Sequence, residues 1–464
     1  MLKTALLPLV LALAGCAITA RQPPTEPAPP ASFKGSTEWQ RVAPEVTVPE
    51  AWWTMFKDPV LDSLQADLVV GNQNLAAALA QVASARAVLS ASRSAIFPTL
   101  SLNGGTTRSA SVENANGQRT VSTNNSLTAN AAWEIDLWGR LAEGVKAAGA
   151  NYRASEADLA ALRLSAQATL TQSYFSLRTA EAQQALLQRT VAANQRALEL
   201  TEVRYASGVI AQSDVLQART QLRSAQSQLS DMRTERAQLE HAIATQLGKL
   251  PGQFQLLPSS DPARLPELPP VPDLVPSTWL AQRPDIAAAR ARQASAYAQI
   301  GIADAAFFPS IDLSASAGYR GSSWSNLISA PNLLWSIGAA VAQPIFDGRQ
   351  RKLASAQARA SADVATANYR QAVLTAFQEV EDNLVQFAES GASVALQRDA
   401  YEAAGRNLQI VLDQYRAGTV SFLNVSAAQA SALSAEGNLL SSRNRQLAAA
   451  NVLLKNLGGK LPPQ

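Results

Sequence analysis

The sequence predicts a mainly α fold with a β-barrel portion, in which each chain supplies four β-strands and long coiled-coil helices. Three observations predict it. Arg140–Ala206 runs for 67 residues without a proline, and its apolar residues recur at three- and four-residue steps: Leu170, Tyr174, Leu177; Leu187, Val191, Leu198. Segments of about ten residues alternate apolar and small or polar side chains, which is the period of a two-faced strand. The same landmarks recur in two halves at a spacing of 210 or 211 residues.

The chain has 464 residues and a net charge of +3, so a broad nucleic-acid footprint is not indicated. Met1, Leu2 and Lys3 followed by an apolar run over 5–14 have the layout of a secretory signal over residues 1–15. Leu13-Ala14-Gly15-Cys16 resembles a bacterial lipobox, whose cysteine is lipidated, palmitate included, and becomes the new N-terminus. Cys16 is the only cysteine in the sequence, so the mature chain avoids thiol mispairing in an oxidising compartment. Ala17, in place of Asp, favours the outer membrane. Residues 16–58 then form a tether, extended through the proline-rich stretch at 22–30, and a segment leading to Pro59.

The first repeat spans 59–256. A helix is predicted over 61–95, and Ile96-Phe97-Pro98 breaks it into a strand at 99–104. A polar loop follows up to Ser126. The stretch 127–137 reads LTANAAWEIDL: Leu127, Ala129, Ala131, Trp133, Ile135 and Leu137 share one side, and Glu134 and Asp136 lie on the other. The helix Arg140–Ala206 spans about 100 Å at ~1.5 Å per residue. That is too long for a compact domain, so its stripe faces other helices as in a coiled coil. Gly208 reverses the chain, and a return helix is predicted over 214–247. The helices 61–95 and 214–247 together match the long helix in length, as an end-to-end pair beside it would.

A proline-rich connector at 257–276 leads to the second repeat, 277–464. Its predicted strands are 310–319 and 334–344, and its helices 349–417 and 424–457. Ile311, Leu313, Ala315, Ala317 and Tyr319 alternate with Asp312 and serines; Trp335, Ile337, Ala339 and Val341 alternate likewise. The strands at 127–137, 310–319 and 334–344, ten or eleven residues each, suit tilted membrane strands of ~9–11 residues. Trp133, Trp138, Tyr319 and Trp335 near strand ends suit interfacial aromatic girdles. Glu134, Asp136 and Asp312 would then face a wetted lumen, since on the lipid side each would cost a few kcal/mol. Four strands cannot close a barrel and open edges are not tolerated in lipid, so several chains must share one. Three chains supply twelve strands, in a homotrimer over a ring of helices.

These residues resemble the outer membrane factor lipoproteins, outlet channels of tripartite efflux systems of Gram-negative bacteria. The carriers are the lipobox at Cys16; AWWTMFKDPVLDSL at 51–64, with Trp52, Trp53, Phe56, Asp58, Pro59 and Leu61; Asn72 and Leu75; WEIDLWGR; and the paired Y-x-x-G turns. The resemblance implies a TolC-like outer membrane efflux fold: a trimer with a twelve-stranded barrel in the outer membrane, an α-helical barrel through the periplasm, and an equatorial belt. It implies a passive exit duct for drugs or other toxic small molecules. Its partners would be outer-membrane lipid, a periplasmic adaptor and an inner-membrane RND-type pump, and no nucleic acid. It implies no enzyme activity, cofactor or metal; the one covalent addition is lipid on Cys16. The reversals, with Tyr205, Gly208, Asp214 and Arg219, and Tyr415, Gly418 and Asn424, would form the closed aperture and meet the adaptor. Glycine at each turn suits a positive φ, and Asp214 and Asn424 suit helix caps. Many relatives carry an Asp and an Arg one turn past the second reversal; here these are Ala427 and Ala430, while Arg219 remains in the first half with Asp214 nearby, which points to a gate that is less charged or held chiefly by packing. His241 reads as a surface or inter-helix residue. A TolC-like outlet for type I protein secretion and a non-porous lipid-anchored coiled coil stay open as alternatives.

Overall fold

In the computed structural model of the chain, the described residues are 49–110, 119–261, 265–269 and 283–458. The signal, Cys16, most of the tether and most of the connector lie outside them. In chain order the elements are α1 (Pro59–Gly71), α2 (Gln73–Ser94), β1 (Thr99–Ala110), β2 (Val121–Glu134), α3 (Arg140–Ala206) and α4 (Gln212–Gln246). The second half follows with α5 (Pro284–Ala305), β3 (Ser310–Gly321), β4 (Leu333–Ala342), α6 (Gln350–Arg416) and α7 (Phe422–Gly458). They fall into two compact units. Gln81–Glu156 and Ala288–Gln371 form one; the described residues up to Ala80, Ala157–Ala287 and those from Ala372 onward form the other.

The first unit holds a four-stranded antiparallel sheet in the order β1-β2-β3-β4. β1, β2 and β3 are longer than the period-two stretches, whereas β4 starts at Leu333 and ends at Ala342, short of the predicted Pro344, where proline has no N–H to give the ladder. β1 continues to Ala110 and β2 begins at Val121, through residues that read as loop because Ser, Thr and Asn occupy both faces there. Backbone pairing such as Thr107↔Asn124 extends the ladder whatever the side chains. At its other end β2 stops at Glu134, short of the predicted Leu137. The Ile135 N–H still donates to the Ile311 carbonyl (2.9 Å), but Asp136 already accepts from the Ala142 N–H (2.8 Å) and starts α3. Gly139 makes that turn with φ +78°. Where α5 crosses α3, Gly301 leaves room for Glu143, whose side chain a Cβ there would strike at 2.8 Å.

In the second unit the predicted helix at 61–95 is two helices. Asn72 breaks it in extended backbone (φ −69°, ψ 118°), and its Oδ1 accepts from the N–H groups of Asn74 and Leu75, capping α2. The break receives the end of α4: Asn72 Nδ2 donates to the Gln246 carbonyl at 2.7 Å, and a Cβ on Gly71 would sit 2.1 Å from the Leu247 carbonyl oxygen. The return helix therefore meets the chain at Asn72, at the head of α2. At the matching position of the second half, Arg283 joins Asp285 and Glu379 (2.8 and 2.7 Å).

The core of this unit gathers Trp52, Phe56, Leu61, Leu68, Tyr174, Phe175, Leu177, Ile243, Leu247 and Leu454, all buried. The run before Pro59 is thus core: Phe56 packs edge-on against Phe175 at 4.8 Å. Asp58 caps α1 by accepting from Val60 and Leu61 N–H, and its second oxygen accepts from the Tyr174 hydroxyl at 2.6 Å. Burial, and then the Asp58 bond, push the Tyr174 phenol well above its ordinary pKa, so it stays a donor. Beyond it a chain of charges runs through Arg178, Glu181, Arg236 and Glu240. It holds the strap at residues 254–259, where Arg236 donates to the Leu256 carbonyl (2.8 Å) and Glu240 accepts the Leu256 N–H (2.6 Å).

Candidate functional site

The sheet is amphipathic across all four strands, because residues opposite one another in an antiparallel ladder share a face. One face carries Leu100 and Leu102; Leu127, Ala129, Ala131 and Trp133; Ile311, Leu313, Ala315, Ala317 and Tyr319; and Leu333, Trp335, Ile337, Ala339 and Val341. From Ile311 to Tyr319 this band is about 27 Å long at ~3.4 Å per residue. Leu100, Trp335 and Ile337 are 72–80% exposed, so no other described residue covers the face there. The other face carries Ser101, Asn103, Thr128, Asn130, Ser314, Ser316 and Ser336; Ser316 and Ser336 hydrogen-bond across strands at 2.8 Å.

Glu134 and Asp312 lie on the polar face, opposite each other at its helical end. Glu134 takes a two-point bond from Arg140, which raises the arginine's pKa further; Asp136 and Asp312 add to it. Asp136 lies past β2 and serves the start of α3. Trp133 is on the apolar face and donates its indole N–H to the Ile96 carbonyl (2.9 Å). Trp138 lies past the strand end, stacked on Phe308 at 4.8 Å with its N–H on the Pro309 carbonyl (2.6 Å). Tyr319 and Trp335 stand at the opposite, loop end. Phe97, which the sequence marks only as part of a break, and Ile345 and Phe346, which lie just outside the alternating stretches, stand 69–89% exposed beside the helical ends of β1 and β4. Their signal was the Phe-Pro and Pro-Ile-Phe punctuation at those ends.

In the other unit, both reversals end α3 and α6 in one motif. Gly208 and Gly418 hold φ +72° and +77°. Each N–H reaches back three residues (Gly208 to Tyr205, Gly418 to Tyr415), and the next N–H reaches back five (Val209 to Arg204, Thr419 to Gln414), satisfying the last carbonyls. The return helices start earlier than predicted, at Gln212 and Phe422. Asp214 and Asn424 are therefore first-turn residues and not the caps; the N-cap of α4 is Ala211, without a side-chain bond. Space around both glycines is open, so backbone strain alone sets the effect of a side chain there. Gly208→Ala is expected to lower stability by about 1–2 kcal/mol, whereas Gly405→Ala, helical and equally unobstructed, raises it by about 0.5–1 kcal/mol. Paired thermal midpoints check this; equal shifts refute it.

The two reversals differ in packing. Tyr415 is 6% exposed and Tyr205 45%. Tyr415 and Phe422 pack edge-on at 5.8 Å in a cluster with Leu198, Val215, Ala218, Leu222 and Val425. The Arg204 guanidinium lies 4.6 Å over the Tyr415 ring. Arg219 pairs with Glu202 (3.3 Å) across the hairpin and not with Asp214. Ala427 and Ala430 are exposed. Apolar contact accordingly dominates where the second reversal meets the first. His241 is exposed.

The comparisons with known proteins agree with this geometry. The sequence model of the outer membrane efflux protein family matches residues 66–249 and 275–459. The chain is 30% identical over 407 residues to the solvent efflux pump outer membrane protein SrpC of Pseudomonas putida, covering 87% of this chain and 86% of that protein. It is 29% identical to the pyoverdine export outer membrane protein OpmQ of P. putida, over 98% and 96% of the two chains. Among solved structures it superposes on the outer-membrane channel OprN with a TM-score of 0.87 at 28% identity, over 96% of this chain and 98% of that one. The open MtrE outer membrane channel of Neisseria gonorrhoeae gives 0.82 at 27% identity, over 95% and 98%. With both halves matched by one family model, and the sheet and reversals built as an outer-membrane channel subunit requires, the chain belongs to the outer membrane efflux protein family.

Proposed function

We infer that three copies of this chain close one barrel and that the barrel is the passive exit duct of a tripartite efflux pump. The observation that carries this reading is the sheet: one face apolar, one polar, and both edge strands free of partners among the described residues. A sheet with unpaired edges is not tolerated in lipid. β4 of one copy and β1 of the next run antiparallel, with ten and twelve residues to pair. Closure turns the apolar band to lipid and lines the lumen with serine, asparagine and the Glu134–Asp312 pair. The reversals, with Tyr205 exposed and Tyr415 packed, form the narrow end that meets an adaptor and, through it, an inner-membrane pump. The cargo is small organic molecules, as the names of the relatives suggest, and no bond is made or broken in the duct. Cys16 carries lipid and assists anchoring.

Two measurements test this. Purified chain in planar bilayers should conduct as a trimer, and Phe422→Ala, which empties the packed reversal, should raise the open fraction. A deletion strain should become sensitive to solvents or antibiotics. Absent conductance, or unchanged tolerance to every compound class with loss of a secreted protein instead, would overturn it.

A further inference from the structure

The loop end of the sheet differs in charge from the helical end. Among the described residues near the loop end stand Arg108, Arg119 and Arg320, and no carboxylate; the helical end carries Glu134, Asp136 and Asp312. The loop joining β3 to β4 does not rise away from the sheet. Leaving β3 at Gly321, it crosses β2 and reaches β1, where the Trp324 indole N–H donates to Thr106 Oγ at 2.9 Å. That is two strand spacings, about 10 Å. Thr106 in turn donates to Asn125 Oδ1 at 2.9 Å, and Asn125 is 2% exposed.

The register decides which side the loop covers. Thr106 pairs with Asn125, and Asn125 with Gly321. These positions lie two residues beyond Gly104, Leu127 and Tyr319, so they continue the apolar face. Asn332, at the far end of the loop, also lies over Gly321: a Cβ there would strike its side chain at 2.9 Å. Leu327 is 2% exposed, whereas Trp324 keeps 54% of its surface open. The loop is thus folded against the outside of the sheet, just beyond the Tyr319–Trp335 level. Arg108 stands on the same face one step further out, paired with Thr123, about 7 Å past Thr106. Arg320, opposite Ser126, is on the polar face.

We propose that Arg108 and the loop-borne Trp324 form a binding surface for phosphorylated glycolipid headgroups of the outer leaflet. This rests on the barrel reading above, which turns the face bearing Arg108 toward lipid. An indole with an apolar body and an anchored N–H suits the membrane interface. A guanidinium just beyond it meets phosphate oxygens with two parallel donors. Fixing the indole through Thr106 holds the loop down, so both groups reach one headgroup layer.

The test uses the full-length chain in detergent, titrated with lipid A. Arg108→Ser should weaken lipid A binding at least fivefold. Thr106→Val, which removes the acceptor of the indole, should weaken it at least threefold. Arg320→Ser, on the opposite face, should stay within twofold of the original chain. Equal losses for Arg108→Ser and Arg320→Ser would mean general charge attraction and overturn the proposal, as would no loss for Arg108→Ser. Soluble pyrophosphate binding as tightly as lipid A would also overturn it, since the surface would then read free phosphate and not a membrane. Bilayer conductance of the same variants should be unchanged. Loss of conductance in the unsubstituted chain would refute the barrel reading instead.

Discussion

Ala315→Arg should abolish recovery of the protein from the outer membrane, while Ser316→Arg should leave it there. The two positions are neighbours on β3 and differ only in face. Ala315 lies midway along the apolar band, opposite Ala131 on one side and Ile337 on the other. An arginine facing lipid near the midplane costs about 2–4 kcal/mol. In the proposed trimer that cost recurs in every subunit, so the shared barrel would lose roughly three times as much. Ser316 lies opposite Asn130 and Ser336, where a charged side chain stays in water. Membrane fractionation with a count of heat-labile oligomer checks this; equal yields for the two variants would remove the basis for assigning the faces.

Glu181→Ala should destabilise the chain by about 3–5 kcal/mol, the scale of breaking a buried ion pair from one side. The Glu181 side chain is 4% exposed. It accepts from Arg178 (2.7 Å), Arg236 (3.3 Å) and the Ser259 N–H (3.2 Å). Burial works against the Arg178 charge, and the bonds to Tyr174 and Glu181 more than restore it, so its pKa ends above the ordinary value. Without the carboxylate two guanidinium groups stand close in a low-dielectric site, and the strap at 254–259 loses one anchor. The expected readout is a thermal midpoint lower by several degrees, with earlier proteolysis between Phe254 and Ser259. A change below about 1 kcal/mol would show that Glu181 adds nothing to the hold that Arg236, Glu240 and the buried Leu256 keep on the strap.

Much of this was legible in the residues. The bounds of α3 are those that its unbroken periodicity marks, because a long helix without proline is decided by hydrogen bonds four residues apart. The alternation of β3 and β4 assigned their faces before any partner was known. Local reading failed where polar residues had two uses. Asn72 sits in helical-looking sequence yet caps a new helix, since its side chain can replace a backbone acceptor. The Ser, Thr and Asn run at 104–126 looked like loop but is strand at both ends, because pairing with a neighbour satisfies the backbone regardless of side chain.

By itself the sequence determined the repeat, the long helices, the two faces of the strands and the positive-φ turns. Each of these follows from interactions within a few residues, or from a period that a single chain displays. Only the tertiary structure decided the register that joins four strands into one amphipathic face, the packing of Tyr415 against Leu198 and Val215, and the contact of α4 with the break at Asn72. It also linked Asp58, Tyr174 and Glu181 in one bonded chain. These join residues tens to hundreds of positions apart, and no local pattern encodes which distant donor a buried acceptor will meet.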